Sequence, residues 1–197
     1  SPSRVDPLAA ELLQRSQRLG VATPEMPLAA ALYGVAQLKQ GSFDPVADWA
    51  EFARTQAAHT KRGQIQCWVY GILGSCVLPW TTPLPTALSL LDEAYRLGVE
   101  TGEVFGAGYS LAERLCLSFY GGKSLDRLAR DATRWMGWCR KYQHRWALDR
   151  IASVMLPLSR AIARVPSPAN ADNPIDPATS RQQTPPDEGE FRWGQLT

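Results

Sequence analysis

The chain has few of the residues from which metal and nucleophilic sites are built. Only two histidines and four cysteines occur among its 197 residues, and no CxxC or His/Cys pair has the spacing of zinc ligands. We therefore expect no metal, no cofactor and no catalytic residue. The cysteines stand among apolar neighbours, which predicts buried, reduced thiols in a cytoplasmic protein. The histidines lack a nearby Ser or Cys in a recognisable nucleophile setting and are expected at the surface: His59 and His144.

A large net charge and a long apolar run are also lacking. The formal charge of +2 argues against a dedicated nucleic-acid or membrane-surface binder. The most apolar stretch, residues 65–78, is too short to cross a bilayer and contains Gln66. The first residues carry neither an initiator Met nor a signal-peptide pattern, so we expect a piece of a longer or processed protein.

What the sequence does contain is a series of helix-breaking loops with a period of about forty residues. One series falls at Gly41, at residues 80–81 and at residues 121–122. A second series, offset by half a period, falls at Gly63, Gly102 and residues 142–143. Two interleaved series at one spacing are what stacked helical hairpins produce.

We therefore predict an all-α fold, an α-α superhelix of tetratricopeptide-like hairpins. Apolar residues recur at helical spacing, and strand-type alternation is lacking. The predicted helices cover residues 28–40, 45–61, 64–78, 84–101, 104–120, 125–142 and 145–164. Residues 1–26 are expected to form an N-terminal helix and linker, residues 27–164 the repeat domain, and residues 165–197 a Pro-rich disordered tail with six prolines.

Several local features are predicted within this frame. Gly102 should end its helix in the left-handed conformation, and Gly106 and Gly108 should let the next helix approach a neighbour closely. Ser124 should cap the helix that begins at residue 125, with Asp126 in its first turn. The predicted core consists of Leu32, Val35, Trp49, Phe52, Trp68, Leu88, Leu91, Tyr95, Tyr109, Leu115, Phe119, Leu128 and Trp135.

Residues 84–103 read LPTALSLLDEAYRLGVETGE, and FGAGYS follows at residues 105–110. This segment resembles the helical region of the multi-sensor signal transduction multi-kinase family. In that family a Ser/Thr-kinase-like domain and an AAA-type ATPase precede a tetratricopeptide-like region, and GAF and histidine-kinase modules follow. The resemblance covers about residues 27–142 and implies a non-catalytic segment for interaction and relay between signalling domains. The family's catalytic and nucleotide-binding residues lie in other modules.

Two motifs look like enzyme signatures but have a simpler interpretation. Residues 121–124 copy the end of a phosphate-binding P-loop, yet Leu117 stands where the first glycine is needed and a helix precedes the loop. We predict an interhelical turn there. Asp92 and Glu93 are adjacent and so point about 100° apart on a helix, which favours a solvated surface over a catalytic carboxylate pair. We therefore predict that this chain alone is not an enzyme.

The strongest charge signal lies in residues 123–164, where ten basic residues face three acidic ones. Arg127, Arg130 and Arg134 are spaced by three and four, so they share one side of a helix, which we name the arginine face. Tryptophans are interleaved with it: Trp135, Trp138 and Trp146. The tryptophans could be core with the arginines merely solvated, or the face could bind an acidic protein or nucleic acid. We expect a protein partner or neighbouring signalling domains, not nucleic acid, membrane or a small-molecule substrate.

Overall fold

The structure, a computed structural model, describes residue 11 and residues 23–164, with side chains in the range 23–155. The elements are α1 (Met26–Lys39), α2 (Val46–His59), α3 (Gly63–Ile72), a π-helical segment (Leu73–Val77), α4 (Leu78–Thr81), α5 (Leu84–Thr101), α6 (Val104–Tyr120), α7 (Leu125–Lys141) and α8 (Arg145–Arg164). Residues 23–164 contain no strand, so the predicted all-α class is confirmed. The helix predicted before residue 20 and the tail predicted at residues 165–197 lie outside the described residues. In the described range no helix has both the length and the apolar character needed to cross a bilayer.

Short connections make consecutive helices pack against one another. The most extensive contacts join α1 to α2, α3 to α5 and α5 to α6. The helix α3 also contacts α1 and α6, so helices touch both the next hairpin and the previous one. This pattern is typical of stacked hairpins, and their superhelical arrangement stays a prediction.

Two apolar clusters hold the helices together. The first runs from α1 to α5 and is rich in small residues such as Ala30, Ala53 and Ala94, which are fully buried. The second joins α6, α7 and α8 through residues such as Leu115 and Ile151. Small side chains at the contact let helix axes come close together.

The predicted core is confirmed in part. Four of its members are buried: Leu91, Leu115, Leu128 and Trp135. Eight are half-buried: Leu32, Val35, Trp49, Phe52, Trp68, Leu88, Tyr95 and Tyr109. The prediction is wrong for Phe119, which is 36% exposed. It lies in the last turn of α6, where its ring packs edge-on against the exposed ring of Tyr120 and not against the core.

The π-helical segment was not predicted. Pro79 has no N–H to give to the carbonyl of Ser75, so an α-helical ladder cannot continue unchanged through this position. The Ser75 hydroxyl turns back on its own helix and donates to the carbonyl of Gly71 at 2.7 Å. It also lies 2.8 Å from the hydroxyl of Tyr109 on α6. The π-helical segment, which is a widened helical turn, is thus linked to the next hairpin through the Ser75–Tyr109 hydrogen bond.

The predicted helix end at Gly102 and the turn at residues 121–124 are confirmed, but the helix predicted over residues 64–78 is α-helical only to Ile72 and is followed by the π-helical segment and α4. Gly102 follows α5 with φ of 74°, in the left-handed region. Residues 121–124 form the predicted interhelical turn between α6 and α7, with Gly122 at φ of 75°. Ser124 occupies the N-cap position of α7, but its side chain makes no capping hydrogen bond. Instead, the neighbouring Lys123 reaches Asp131 on α7 at 2.7 Å.

Candidate partner-binding site

The helix α7 separates apolar from basic residues. Its buried side chains recur at intervals of four, three and four residues: Leu128, Ala132, Trp135 and Cys139. The three predicted site residues, Arg127, Arg130 and Arg134, are all exposed. Their spacing places them within one sector of the helix. The structure therefore brings the arginine face together as the sequence predicted.

The arginine face lacks firm carboxylate partners, unlike five of the other described arginines. Arg127 and Arg130 have none among the described residues. Arg134, 74% exposed, has only Asp131 at 3.9 Å, and that carboxylate is engaged by Lys123. Five other described arginines are paired: Arg54 with Glu51, Arg62 with Glu25, Arg96 with Glu93 and Glu100, Arg114 with Asp92, and Arg150 with Glu113. Arg140 in the last turn of α7 and Arg145 at the start of α8 also lack a carboxylate partner, but they lie outside the arginine face. Positive charge on α7 is thus not compensated within the described part of the chain.

One end of the arginine face is held in place by an aromatic ring. The guanidinium of Arg134 lies 6.0 Å from the ring centroid of Trp135, and that of Arg114 lies 5.4 Å from it. Cations over an indole ring are attracted by its negative face, which restrains the arginine. Next to it, burial alone would raise the pKa of Asp131, yet the hydrogen bond from Lys123 and the nearby guanidinium groups hold that pKa below its usual value. Asp131 therefore stays ionised and bound to Lys123.

The interleaved tryptophans do not offer an open stacking surface beside the arginines. Trp135 is buried, and Trp138 and Trp146 are half-buried against the second cluster. Trp138 packs edge-on against Tyr95, with ring centroids 5.7 Å apart. The rings that stack on single-stranded nucleic acids must offer an open face. These three tryptophans use their surfaces for packing between helices.

His144 was expected at the surface, and that expectation is wrong because its ring is buried. The backbone N–H of Ala147 donates to Nδ1 at 3.1 Å, so this nitrogen is an acceptor. Nε2 therefore carries the proton and donates to the carbonyl oxygen of Phe105 at 3.0 Å. The ring caps the start of α8 and ties it to the first turn of α6. Two features of the sequence could have indicated this burial: His144 stands just before a helix, and α6 contains glycines that leave room for a ring.

An aromatic cluster surrounds His144 and was not recognised as a unit from the sequence. Phe105 stacks on Trp68 of α3 at 5.6 Å, and Tyr109 stacks on Trp146 of α8 at 5.3 Å. Burial raises the pKa of Tyr109, and its hydroxyl hydrogen-bonds to Ser75. These contacts cross three hairpins, so the cluster fixes how the hairpins stack.

The remaining candidate groups for chemistry are engaged or buried. The four cysteines are unpaired thiols, three of them buried and Cys76 half-buried, as predicted except for that partial exposure. Burial raises the pKa of Cys67 to about 12 and that of Cys116 and Cys139 to about 11, so these thiols are protonated at neutral pH. Asp92 accepts from Arg114 and Glu93 from Arg96, so the two carboxylates have separate partners.

Among residues 23–155, no group of three or more His, Cys, Asp or Glu side chains is placed to hold a metal ion. Comparison with protein-family models, curated proteins and solved structures gave no match. The resemblance to the multi-kinase family therefore stays a prediction.

Proposed function

We propose that this chain is a non-catalytic helical-repeat segment that binds an acidic protein through the arginine face. One observation carries the proposal: Arg127, Arg130 and Arg134 lie in one sector of α7, exposed and without a firm carboxylate partner, whereas the other unpaired arginines, Arg140 and Arg145, do not belong to such a row. A row of uncompensated like charges raises the local potential and attracts a partner of opposite charge.

We further propose that the segment acts in the cytoplasm as a relay between domains of a multi-domain signalling kinase with an associated ATPase. The motif at residues 84–110 supports this context through its resemblance. The state of the thiols and of the carboxylates also favours a binding role over a catalytic one. The buried thiols hold their protons at neutral pH, and Asp92 and Glu93 are each engaged by an arginine.

An acidic protein fits the arginine face better than nucleic acid does. The tryptophans that could have stacked on bases pack between helices. A shallow depression of about 420 Å³ lies on α7, lined by Ala129, Arg130, Thr133 and Arg134. A carboxylate side chain placed there would be flanked by two guanidinium groups, which are suited to bidentate hydrogen bonds.

The test is the affinity of the full chain for a fluorescein-labelled peptide of ten glutamates, measured by fluorescence polarisation. The perturbed variant carries Arg127→Glu, Arg130→Glu and Arg134→Glu. The matched control carries Lys61→Glu, Arg140→Glu and Arg145→Glu, which changes the net charge equally. Those three cations are exposed and have no carboxylate partner among the described residues.

Each exposed ion pair contributes about 0.2–1 kcal/mol, and reversal replaces attraction by repulsion. We expect the Kd to rise at least about tenfold, the equivalent of about 1.4 kcal/mol, for the arginine-face variant and less than about twofold for the control. An equal loss in both variants would mean that binding follows net charge alone, and the proposal would be wrong.

A parallel titration with duplex DNA tests the alternative, a basic adaptor for nucleic acid. Binding to DNA falls steeply with salt, with a slope of about −0.9 in log K against log salt for each neutralised phosphate. Tighter binding to DNA than to the peptide, with a steep slope that the arginine-face variant loses, would support the adaptor instead.

A further inference from the structure

The outward side of α7 does not end with its arginines. Trp138 follows Arg134 by one helical turn, and Tyr142 follows Trp138 by another. Residues four apart are neighbours on one side of a helix, so the two rings continue the arginine face towards the end of α7. Trp138 is half-buried, and Tyr142, the residue at which α7 ends, is 43% exposed. The arginine face is therefore continuous with an aromatic surface.

The two rings form a cluster with Tyr95 of α5, and we name these three residues the aromatic end. The ring centroid of Trp138 lies 4.6 Å from that of Tyr142 and 5.7 Å from that of Tyr95. Burial raises the pKa of Tyr95, the charge of Arg134 opposes that rise, and Tyr142 adds to it. Such electrostatic effects weaken with distance, so the phenol of Tyr95 lies near both Arg134 and Tyr142.

Positive charge is found on the far side of the aromatic end as well. Nζ of Lys141 lies 5.5 Å from the ring centroid of Tyr142. Lys141 is exposed and has no carboxylate partner among the described residues. It stands two helical turns after Arg134 and shares the outward side of α7. An apolar side chain that packs on the aromatic end would thus have an unpaired cation on either side of it.

The composition of this surface favours one kind of occupant. Arginine, tryptophan and tyrosine are the residue types most enriched among those that carry the binding energy of protein interfaces. Guanidinium groups without partners are suited to carboxylates, and aromatic rings are suited to apolar side chains. A chain of acidic residues alone would leave the aromatic end uncovered, and an apolar segment alone would leave the arginines unpaired. The surface as a whole fits a segment that has both.

The spacing of these residues matches the pitch of a second helix. With Arg127 counted as position i, the arginine face occupies i, i+3 and i+7, Trp138 is at i+11 and Tyr142 is at i+15. At 1.5 Å per residue this row is roughly 22 Å long, or about four helical turns. A helix laid along α7 repeats the same spacing, so it can present carboxylates to the arginines and apolar side chains to the two rings.

We propose that the partner of this chain contributes an acidic amphipathic helix, whose carboxylates bind the arginine face and whose apolar side chains pack on the aromatic end. This inference rests on the proposed function and adds that charge alone does not define the partner. The carboxylates speed the encounter, and the apolar contact slows dissociation.

The experiment compares two fluorescein-labelled peptides of about 20 residues, which is long enough for a helix to form alone. Both have a background of alanine and glutamine, with glutamates at i, i+3 and i+7. One carries leucines at i+11 and i+15, and the other carries alanines there. Each is also made in the reverse order, because a helix can run in either direction along α7. Fluorescence polarisation with the full chain gives each Kd, and the ratio of the two Kd values is the gain from the leucines.

Three variants locate this gain. Tyr142→Ala removes the exposed ring of the aromatic end, and Tyr142→Phe keeps it. Tyr120→Ala is the matched control, since Tyr120 is 79% exposed but lies in the last turn of α6, outside the aromatic end. Circular dichroism at 222 nm verifies that every variant is folded.

We expect a gain of at least about fivefold, in one of the two orders, for the unaltered chain, Tyr142→Phe and Tyr120→Ala. Tyr142→Ala should reduce the gain below about twofold. It should change the Kd of the ten-glutamate peptide less than about twofold, because that peptide has no apolar side chain.

A gain that is absent in both orders, or that Tyr142→Ala retains, would overturn the inference and leave the proposed function standing. Leucine peptides that the arginine-face variant binds as tightly as the unaltered chain would overturn both. A dimer of the free chain in sedimentation equilibrium, lost in Tyr142→Ala, would assign the aromatic end to a second copy of this chain and overturn the inference as well.

Discussion

Replacement of Gly108 by alanine is expected to destabilise the protein, although alanine is the better helix former. Gly108 lies within α6, where it faces the buried ring of His144. A Cβ atom at this position would lie 2.2 Å from Cδ2 and 2.5 Å from Nε2 of that ring. Such distances are far below van der Waals contact, so the ring or the helix must move.

The ring of His144 is poorly placed to move. Its Nε2 donates to the carbonyl oxygen of Phe105, and its Nδ1 accepts the N–H of Ala147 at the start of α8. Overpacking of this kind costs about 1–3 kcal/mol. Displacement of the ring would also lose the helix cap, which contributes about 1 kcal/mol. Alanine regains about 1 kcal/mol of helix propensity, so we expect a net loss of about 1–3 kcal/mol.

Gly137→Ala is the matched control, because a Cβ atom at Gly137 in α7 would meet nothing within 4 Å. There only the propensity gain remains, and we expect about 0.5–1 kcal/mol of added stability. Urea unfolding followed by circular dichroism at 222 nm measures both, with an unchanged m-value as the condition for comparison. The double variant Gly108→Ala with His144→Ala should lose less than the sum of the single variants, since the clash is then absent. If Gly108→Ala were as stable as Gly137→Ala, the tight contact with His144 would be refuted.

Three further outcomes follow from the described contacts. Asp131→Asn should lower the free energy of unfolding by about 0.5–1 kcal/mol at pH 7. Because folding lowers the pKa of Asp131, this difference should fade as the pH drops below the ordinary carboxyl value of 3.8. Urea titrations that give a pH-independent difference would contradict this prediction. Cys67, whose pKa is about 12, should react with iodoacetamide at pH 8 only after unfolding, and mass spectrometry that finds it labelled in the native protein would count against its burial. Gly102→Ala should cost about 1 kcal/mol in the same urea assay, because φ of 74° is unfavourable for alanine; no loss would mean that the helix end is not left-handed.

The helices of residues 23–164 could be predicted closely because their ends depend on local chemistry. Gly102 and Gly122 adopt positive φ at the ends of α5 and α6, where the breaks were placed. Such a glycine stops a helix wherever the rest of the chain goes. The periodic apolar residues then decide which side of each helix is buried. Fold class and helix bounds therefore follow from short stretches of sequence.

The π-helical segment and the burial of His144 depend on contacts between distant residues. Pro79 shows that the helix must adjust, but a kink or a break would serve as well as a widened turn. The hydroxyl of Tyr109, 34 positions after Ser75, supports the adjustment that occurs. In the same way, His144 is buried because Gly108, on another helix, leaves room for a ring. The place of His144 before a helix and the glycines of α6 are compatible with its burial, but neither pairing can be assigned from the local sequence.

The candidate site shows the same division between local and distant information. The spacing of Arg127, Arg130 and Arg134 was sufficient to place them on one face, since helix geometry alone determines it. Whether an arginine is available to a partner depends on which carboxylates the neighbouring helices bring to it. Arg150 meets Glu113, 37 positions earlier in the chain, and its charge is used within the fold. No neighbouring helix brings such a group to Arg127 and Arg130 in the described structure, so their charge remains for a binding partner. Arg140 and Arg145 are unpaired too, and it is the row of Arg127, Arg130 and Arg134 in one sector that distinguishes the arginine face.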